Sequence, residues 1–174
     1  MPFPQPGQRD QPWPTSMNEL DPSERLVIWS FRRWVLGLKQ NTAAHWDFVW
    51  NEFARQLGSQ DGREALSGFA CMVKALQCNA RRRIHYHQPC CPALGADEVS
   101  IACLVAACQN GQLGLARSLA QWLVKPDGSD EMITAATRLA QRMQSRGLVF
   151  PERCGAPAMP PMTEPVPQAV AALH

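Results

Sequence analysis

The sequence predicts an all-α fold, a compact bundle of about six helices, and three observations lead there. Apolar residues recur at helical spacing in successive stretches between residues 20 and 149. Helix-starting and helix-stopping residues separate those stretches, and no strand pair or hairpin turn interrupts them. A chain of 174 residues, 45% of them apolar, has enough material to bury one real core.

Each helix has its own signature. Asp21-Pro22-Ser23-Glu24 combines a capping aspartate, a proline suited to the first helical position and a glutamate three residues after the cap. Val27, Ile28, Phe31, Trp34, Val35 and Leu38 then share a face, with Arg25, Arg32 and Arg33 expected off it. A second helix after Asn41-Thr42 carries Trp46, Val49, Trp50, Phe53 and Leu57, and Gly58 suits its C-terminal cap. A third opens at Asp61, places Leu66, Phe69, Val73 and Leu76 on one side, and should end near Arg83. From Val99 to Cys108 the chain is apolar almost all round, after an Asp97-Glu98 start that suits the positive end of a helix. This reads as the buried central helix. Asn110-Gly111 breaks it, and Leu115, Ala116, Leu119, Trp122 and Leu123 form an amphipathic helix ended by Pro126. A last helix runs from Ser129 to about Arg146. The stretch CLVAACQNGQLGLARSLAQWLV looks like a solenoid-type helical hairpin, but no second copy follows at a fixed period, so a compact bundle is preferred.

The ends differ in composition. Of fifteen prolines, five precede Asp21 and six follow Leu148. Such segments have little to bury and cannot join helices. Residues 1–19 and 150–174 are therefore expected to be proline-rich disordered tails around a helical domain at 20–149. Trp13 would then sit in a solvated linker, with docking to a partner as the alternative.

Charge and cysteine usage restrict the setting. The formal net charge is only +2, so attraction to nucleic acid has to come from a local patch. No apolar run is long enough to span a bilayer, and the N-terminus lacks the pattern of a secretory signal. Seven cysteines, odd in number and irregular in spacing, point to reduced thiols and a cytoplasmic protein.

The segment RRRIHYHQPCCPALGADE, Arg81 to Glu98, concentrates groups that bind ions, titrate or react. Arg81, Arg82, Arg83, Tyr86, Asp97 and Glu98 are the candidate binding residues. The arginines suit phosphates and Tyr86 a stacked base, which is the nucleic-acid reading. The commoner reading is structural: arginines at a helix C-terminus, paired to Asp97 or Glu98 across a compact loop. His85, His87, Cys90 and Cys91 offer imidazole and thiolate ligands suited to zinc, with Cys78 or Cys154 to complete a shell. Adjacent cysteines are poor chelators, and no second CxxC accompanies them. Cys90 and Cys91 are also candidate reactive thiols, because a basic segment precedes them and a helix N-terminus follows. A nucleophile–base–orienter set can be drawn from Cys90 or Cys91, His87 and Asp97, but nothing in the spacing demands it, and no catalytic residue is assigned.

The order RRRI, then PCCP, then ADE opening an apolar helix resembles a family of small all-helical proteobacterial proteins with no assigned activity, over Arg81 to about Leu123. The resemblance implies a bacterial, soluble, helical protein and supplies no chemistry. The resulting expectation is a non-enzymatic adaptor or regulatory protein that binds another macromolecule, most naturally a protein. A metal- or redox-responsive regulator and a small RNA-binding module are the rivals. Trp29, beside the main apolar stripe of the first helix, is the residue expected to face a partner.

Overall fold

The computed structural model describes residues 13–153. Of the expected tails at 1–19 and 150–174, residues 1–12 and 154–174, and with them Cys154, lie outside the described residues. A short 3₁₀ turn, Met17–Glu19, leads into α1 (Pro22–Gln40), α2 (Ala44–Leu57), α3 (Ser59–Asn79), α4 (Ala96–Gln109), α5 (Leu113–Leu123) and α6 (Pro126–Ser145). Among the described residues the only extended pairings are two isolated bridges, Ser16 with Ala93 and Ala80 with Val124. None of these helices is long and apolar enough to cross a membrane.

The helices close into a ring. α1 packs on α2, α2 on α3, α3 on α6, α6 on α4 and α4 back on α1, with α5 against α4 and α6. α4 is the most buried member of this ring: every residue from Asp97 to Ala107 is buried, as its all-round apolar sequence requires. The other helices bury one stripe each. Val27, Phe31 and Val35 come from α1, Val49, Phe53 and Leu57 from α2, Phe69, Val73 and Leu76 from α3, and Met132, Leu139 and Met143 from α6.

Several boundaries shift for identifiable reasons. α3 stops at Asn79, short of the arginines, because Ala80 turns extended to pair with Val124 and the Arg81 amide donates to Leu123 O at 3.1 Å. α6 begins at Pro126, not Ser129. The proline that stops α5 also serves as the first residue of the next helix, where its missing N–H costs nothing. Only Gly58 separates α2 from α3. It adopts φ 81°, in the left-handed region, where a Cβ would be strained.

The packed body is wider than the expected 20–149. Met17 and Phe150 belong to the core cluster, and half-buried Trp13 packs against it. The Arg153 guanidinium lies 5.8 Å from the Trp13 ring centroid and donates to Glu24 Oε1 and Oε2, both at 2.7 Å. The Gln109 carboxamide donates to Ala140 O at 3.2 Å and Leu148 O at 3.1 Å, and accepts from the Phe150 amide at 2.8 Å. Trp13 is therefore a structural residue here and not a solvated linker.

α3 and α6 cross closely at Gly68. A Cβ there would lie 2.9 Å from Leu139 N and 3.2 Å from Ala135 O, backbone atoms that cannot swing aside. Gly68→Val should destabilise the protein by about 1–3 kcal/mol, since overpacking outweighs the few tenths gained in helix propensity. Urea unfolding of the two proteins measures this, and unchanged stability would contradict the close crossing.

Candidate functional site

Residues 80–95, between α3 and α4, form no regular structure, so their polar groups need partners from elsewhere. One residue supplies partners for three of their carbonyls. Arg32 of α1, expected off the apolar face, is fully buried at 0% exposure. Its Nε donates to Glu98 Oε1 at 2.6 Å and its Nη2 to Glu98 Oε2 at 3.0 Å. Nη2 also reaches Ala93 O at 2.6 Å, and Nη1 reaches Cys91 O at 2.6 Å and Gln88 O at 3.3 Å. A guanidinium has five N–H groups, and these contacts occupy all of them. Glu98, also fully buried, accepts the Gly95 amide at 2.8 Å, the His87 amide at 2.9 Å and His87 Nδ1 at 3.0 Å. Burial opposes ionisation of Glu98, but these donors, led by Arg32, outweigh it and hold its pKa below the usual 4.5. With the carboxylate ionised and able only to accept, His87 Nδ1 must carry the proton.

A second pair lies alongside. Arg82 Nη1 donates to Asp97 Oδ2 at 2.9 Å and Nη2 to Asp97 Oδ1 at 2.7 Å. The His85 amide joins Asp97 Oδ2 at 2.7 Å, and the Arg82 guanidinium stacks 4.6 Å from the Trp122 ring centroid. The triplet of arginines thus ties to the start of α4 through its middle member, while Glu98 belongs to Arg32. Arg81 is exposed and Arg83 half-buried. Tyr86 is half-buried and packs T-shaped against Phe31, with centroids 6.2 Å apart at 87°. Burial pushes the Tyr86 hydroxyl pKa up, against an opposing effect of Arg83.

The expected ligand quartet is dispersed. His85 is exposed, His87 is held by Glu98, Cys90 is exposed and Cys91 is half-buried with its carbonyl taken by Arg32. Among the described residues no three His, Cys, Asp or Glu side chains converge so as to hold a metal ion. Pro89 and Cys90 occupy the centre of a turn closed by the Cys91 amide on Gln88 O at 3.0 Å, which puts the Cys90 thiol at its tip. All the described cysteines are free, and Cys103 in α4 is buried with its thiol pKa pushed up to about 12, chiefly by burial.

A different surface combines half-buried Trp29 and exposed Phe48 with a charge that has no carboxylate partner among the described residues. Arg33, next to Arg32 but pointing outward, sits with its guanidinium 5.4 Å from the Trp29 ring centroid and 5.1 Å from that of Phe48. Phe48 on α2 is 51% exposed. No carboxylate among the described residues pairs with Arg33; its Nη1 lies 3.4 Å from His45 Nδ1, and its buried Nε has no partner there. Beside it a cleft of about 610 Å³ runs between the two helices, lined by Arg25, Leu26, Trp29, Glu52, Arg55 and Gln56. The spacing explains the alignment. Residues 25/26, 29 and 33 repeat along α1, and 48, 52 and 55/56 along the antiparallel α2, each set on one helical face. Of this surface the sequence signalled Trp29. Phe48 carried no signal beyond being an aromatic outside the stripe of α2.

Comparison with protein-family models, curated proteins and solved structures finds no match for this chain.

Two outcomes test the loop. Glu98→Gln leaves Arg32 buried without a counter-charge and should cost about 3–5 kcal/mol in urea unfolding. The wild-type contribution should be fully present above pH 4.5, the ordinary carboxyl value, and be lost as pH falls below it through the lowered folded-state pKa; the variant should lack that acid-side slope. In limiting alkylation of the native protein, mass spectrometry should find Cys90 labelled well before Cys103. Equal rates would remove the basis for a responsive thiol in the loop.

Proposed function

We propose that the protein is a non-enzymatic helical adaptor or regulatory protein, and that it docks another protein along the seam between α1 and α2. The observation that supports this is Arg33 held between the rings of Trp29 and Phe48 beside an open cleft. Trp, Tyr and Arg dominate the energetics of protein interfaces, and here two aromatic rings fix an arginine whose charge no carboxylate of the described body neutralises. Helices α1 and α2 are anchored from behind by Phe31, Val35, Val49 and Phe53, so the surface is preformed and little ordering is needed on binding.

The arginines of the 81–83 segment support the nucleic-acid reading less. Arg82 is committed to Asp97 and Trp122, and Tyr86 to Phe31. The free thiols fit a reducing cytoplasm, and the bacterial setting rests on the resemblance of the 81–123 segment. A thiol-responsive regulator is the second reading, carried by Cys90 at the tip of its turn.

A photoreactive phenylalanine analogue in place of Phe48 tests the docking surface in native cells. It should capture a protein partner, the same analogue in place of exposed Gln121 on α5 should not, and Arg33→Glu should abolish the capture. Equal capture from both positions, or none from position 48, would refute the reading.

A further inference from the structure

On the docking reading above, we infer that the α1–α2 seam receives an acidic segment of the partner: a carboxylate on the edge of Arg33, and an apolar side chain in the adjoining cleft between Trp29 and Leu26. The charges of the seam point to this. Arg33 has no carboxylate partner, and Arg25 uses its Nη2 on the Met17 and Leu20 carbonyls at 3.2 and 3.5 Å, so two positive charges stand without a counter-ion among the described residues. The one acid of the cleft, Glu52, is already occupied by Arg55, at 3.0 and 2.6 Å, and by Gln56. The seam therefore has a surplus of positive charge that an incoming acidic group would neutralise.

The shape of the site selects among acidic groups. The Trp29 and Phe48 rings both lie against the Arg33 guanidinium, and its N–H edge has no carboxylate partner among the described residues. A planar carboxylate fits such an edge side-on with two parallel hydrogen bonds, and the orphaned Nε would be one of the donors. Nε is covered at present. Phe48, 51% exposed and outside the core, is the neighbour of Arg33 with most freedom to move when a ligand arrives. From Arg33 to Arg25 is about 12 Å along α1, so a few residues of a partner fill the cleft. Leu26 forms an apolar floor and the Trp29 ring a wall, which suits an aliphatic or aromatic neighbour of the acid.

Other occupants fit less well. A nucleic-acid backbone would lay a run of phosphates along a seam that offers only two arginines without a counter-ion, Arg25 and Arg33, too few for a backbone-tracking groove. A second copy of this chain, seam to seam about a two-fold axis, would bring the unpaired arginines of both copies into one interface with no free acid to meet them.

Selection of displayed random peptides on the immobilised full-length protein tests the inference. Enriched peptides should carry Asp or Glu next to an apolar residue. Changing that acid to its amide should weaken binding about tenfold or more, and Arg33→Gln and Phe48→Ala should each do the same while leaving the thermal melt unchanged. Enrichment of neutral or basic peptides, no enrichment at all, binding indifferent to Arg33→Gln, or stronger binding of a single-stranded oligonucleotide at this seam would overturn it. Should position 48 capture a partner in cells while the selected peptides are not acidic, the acidic-segment inference falls and the docking reading stands. Failure to capture from position 48 removes both.

Discussion

A buried guanidinium has to satisfy five N–H groups, and in Arg32 every one of them fixes something outside its own helix. Two hold Glu98 at the start of the central helix, and three hold backbone carbonyls of the connection that leads into it. Glu98 returns the arrangement by gathering the amides of His87 and Gly95. The connection between α3 and α4 therefore has a unique path although it has no regular secondary structure. A buried pair of this kind adds little net stability over a well-packed apolar pair, because desolvating two ions is costly. What it supplies is position. Lysine at Arg32 would keep the charge but offer three donors where five are used.

The two neighbouring arginines of α1 divide their work by helical geometry. Consecutive residues lie about 100° apart around a helix, so Arg32 and Arg33 cannot share a side. Arg32 faces α4 and builds the interior. Arg33 faces α2 and is held by aromatic rings at the surface. One helix thereby joins the structural centre of the protein to the surface proposed for docking.

The helices were legible because each announces its ends and its apolar face. The all-round apolar run at 99–108 identified the central helix before any packing was known, and the opposite charges of the arginine triplet and Asp97-Glu98 identified two segments that meet. Arg32 was not legible. An arginine at the margin of an apolar stripe reads as solvated, and only the tertiary arrival of Glu98 and the 88–93 carbonyls makes its burial affordable. The arginines of the triplet read as a binding patch for the same reason in reverse: sequence shows charge but not that Trp122 and Asp97 have already claimed Arg82. The folded margins escaped notice too, since the proline content of the ends masks Met17 and Phe150, which reach the core singly and without periodicity.

The Arg32–Glu98 contact joins residues 66 positions apart in the chain. Apart from the Gln88–Cys91 turn and the Gly95 cap, most contacts that hold the 80–95 connection come from other elements, so it takes its final course only after α1 and α4 have come together. It would be among the last parts of the chain to order as the protein folds. Once formed, the His85, His87 and Gly95 amides donate to carboxylates sealed from water, and their hydrogens exchange with solvent only when those pairs part. A stretch that looks like an irregular loop would then exchange as slowly as the helical core around it.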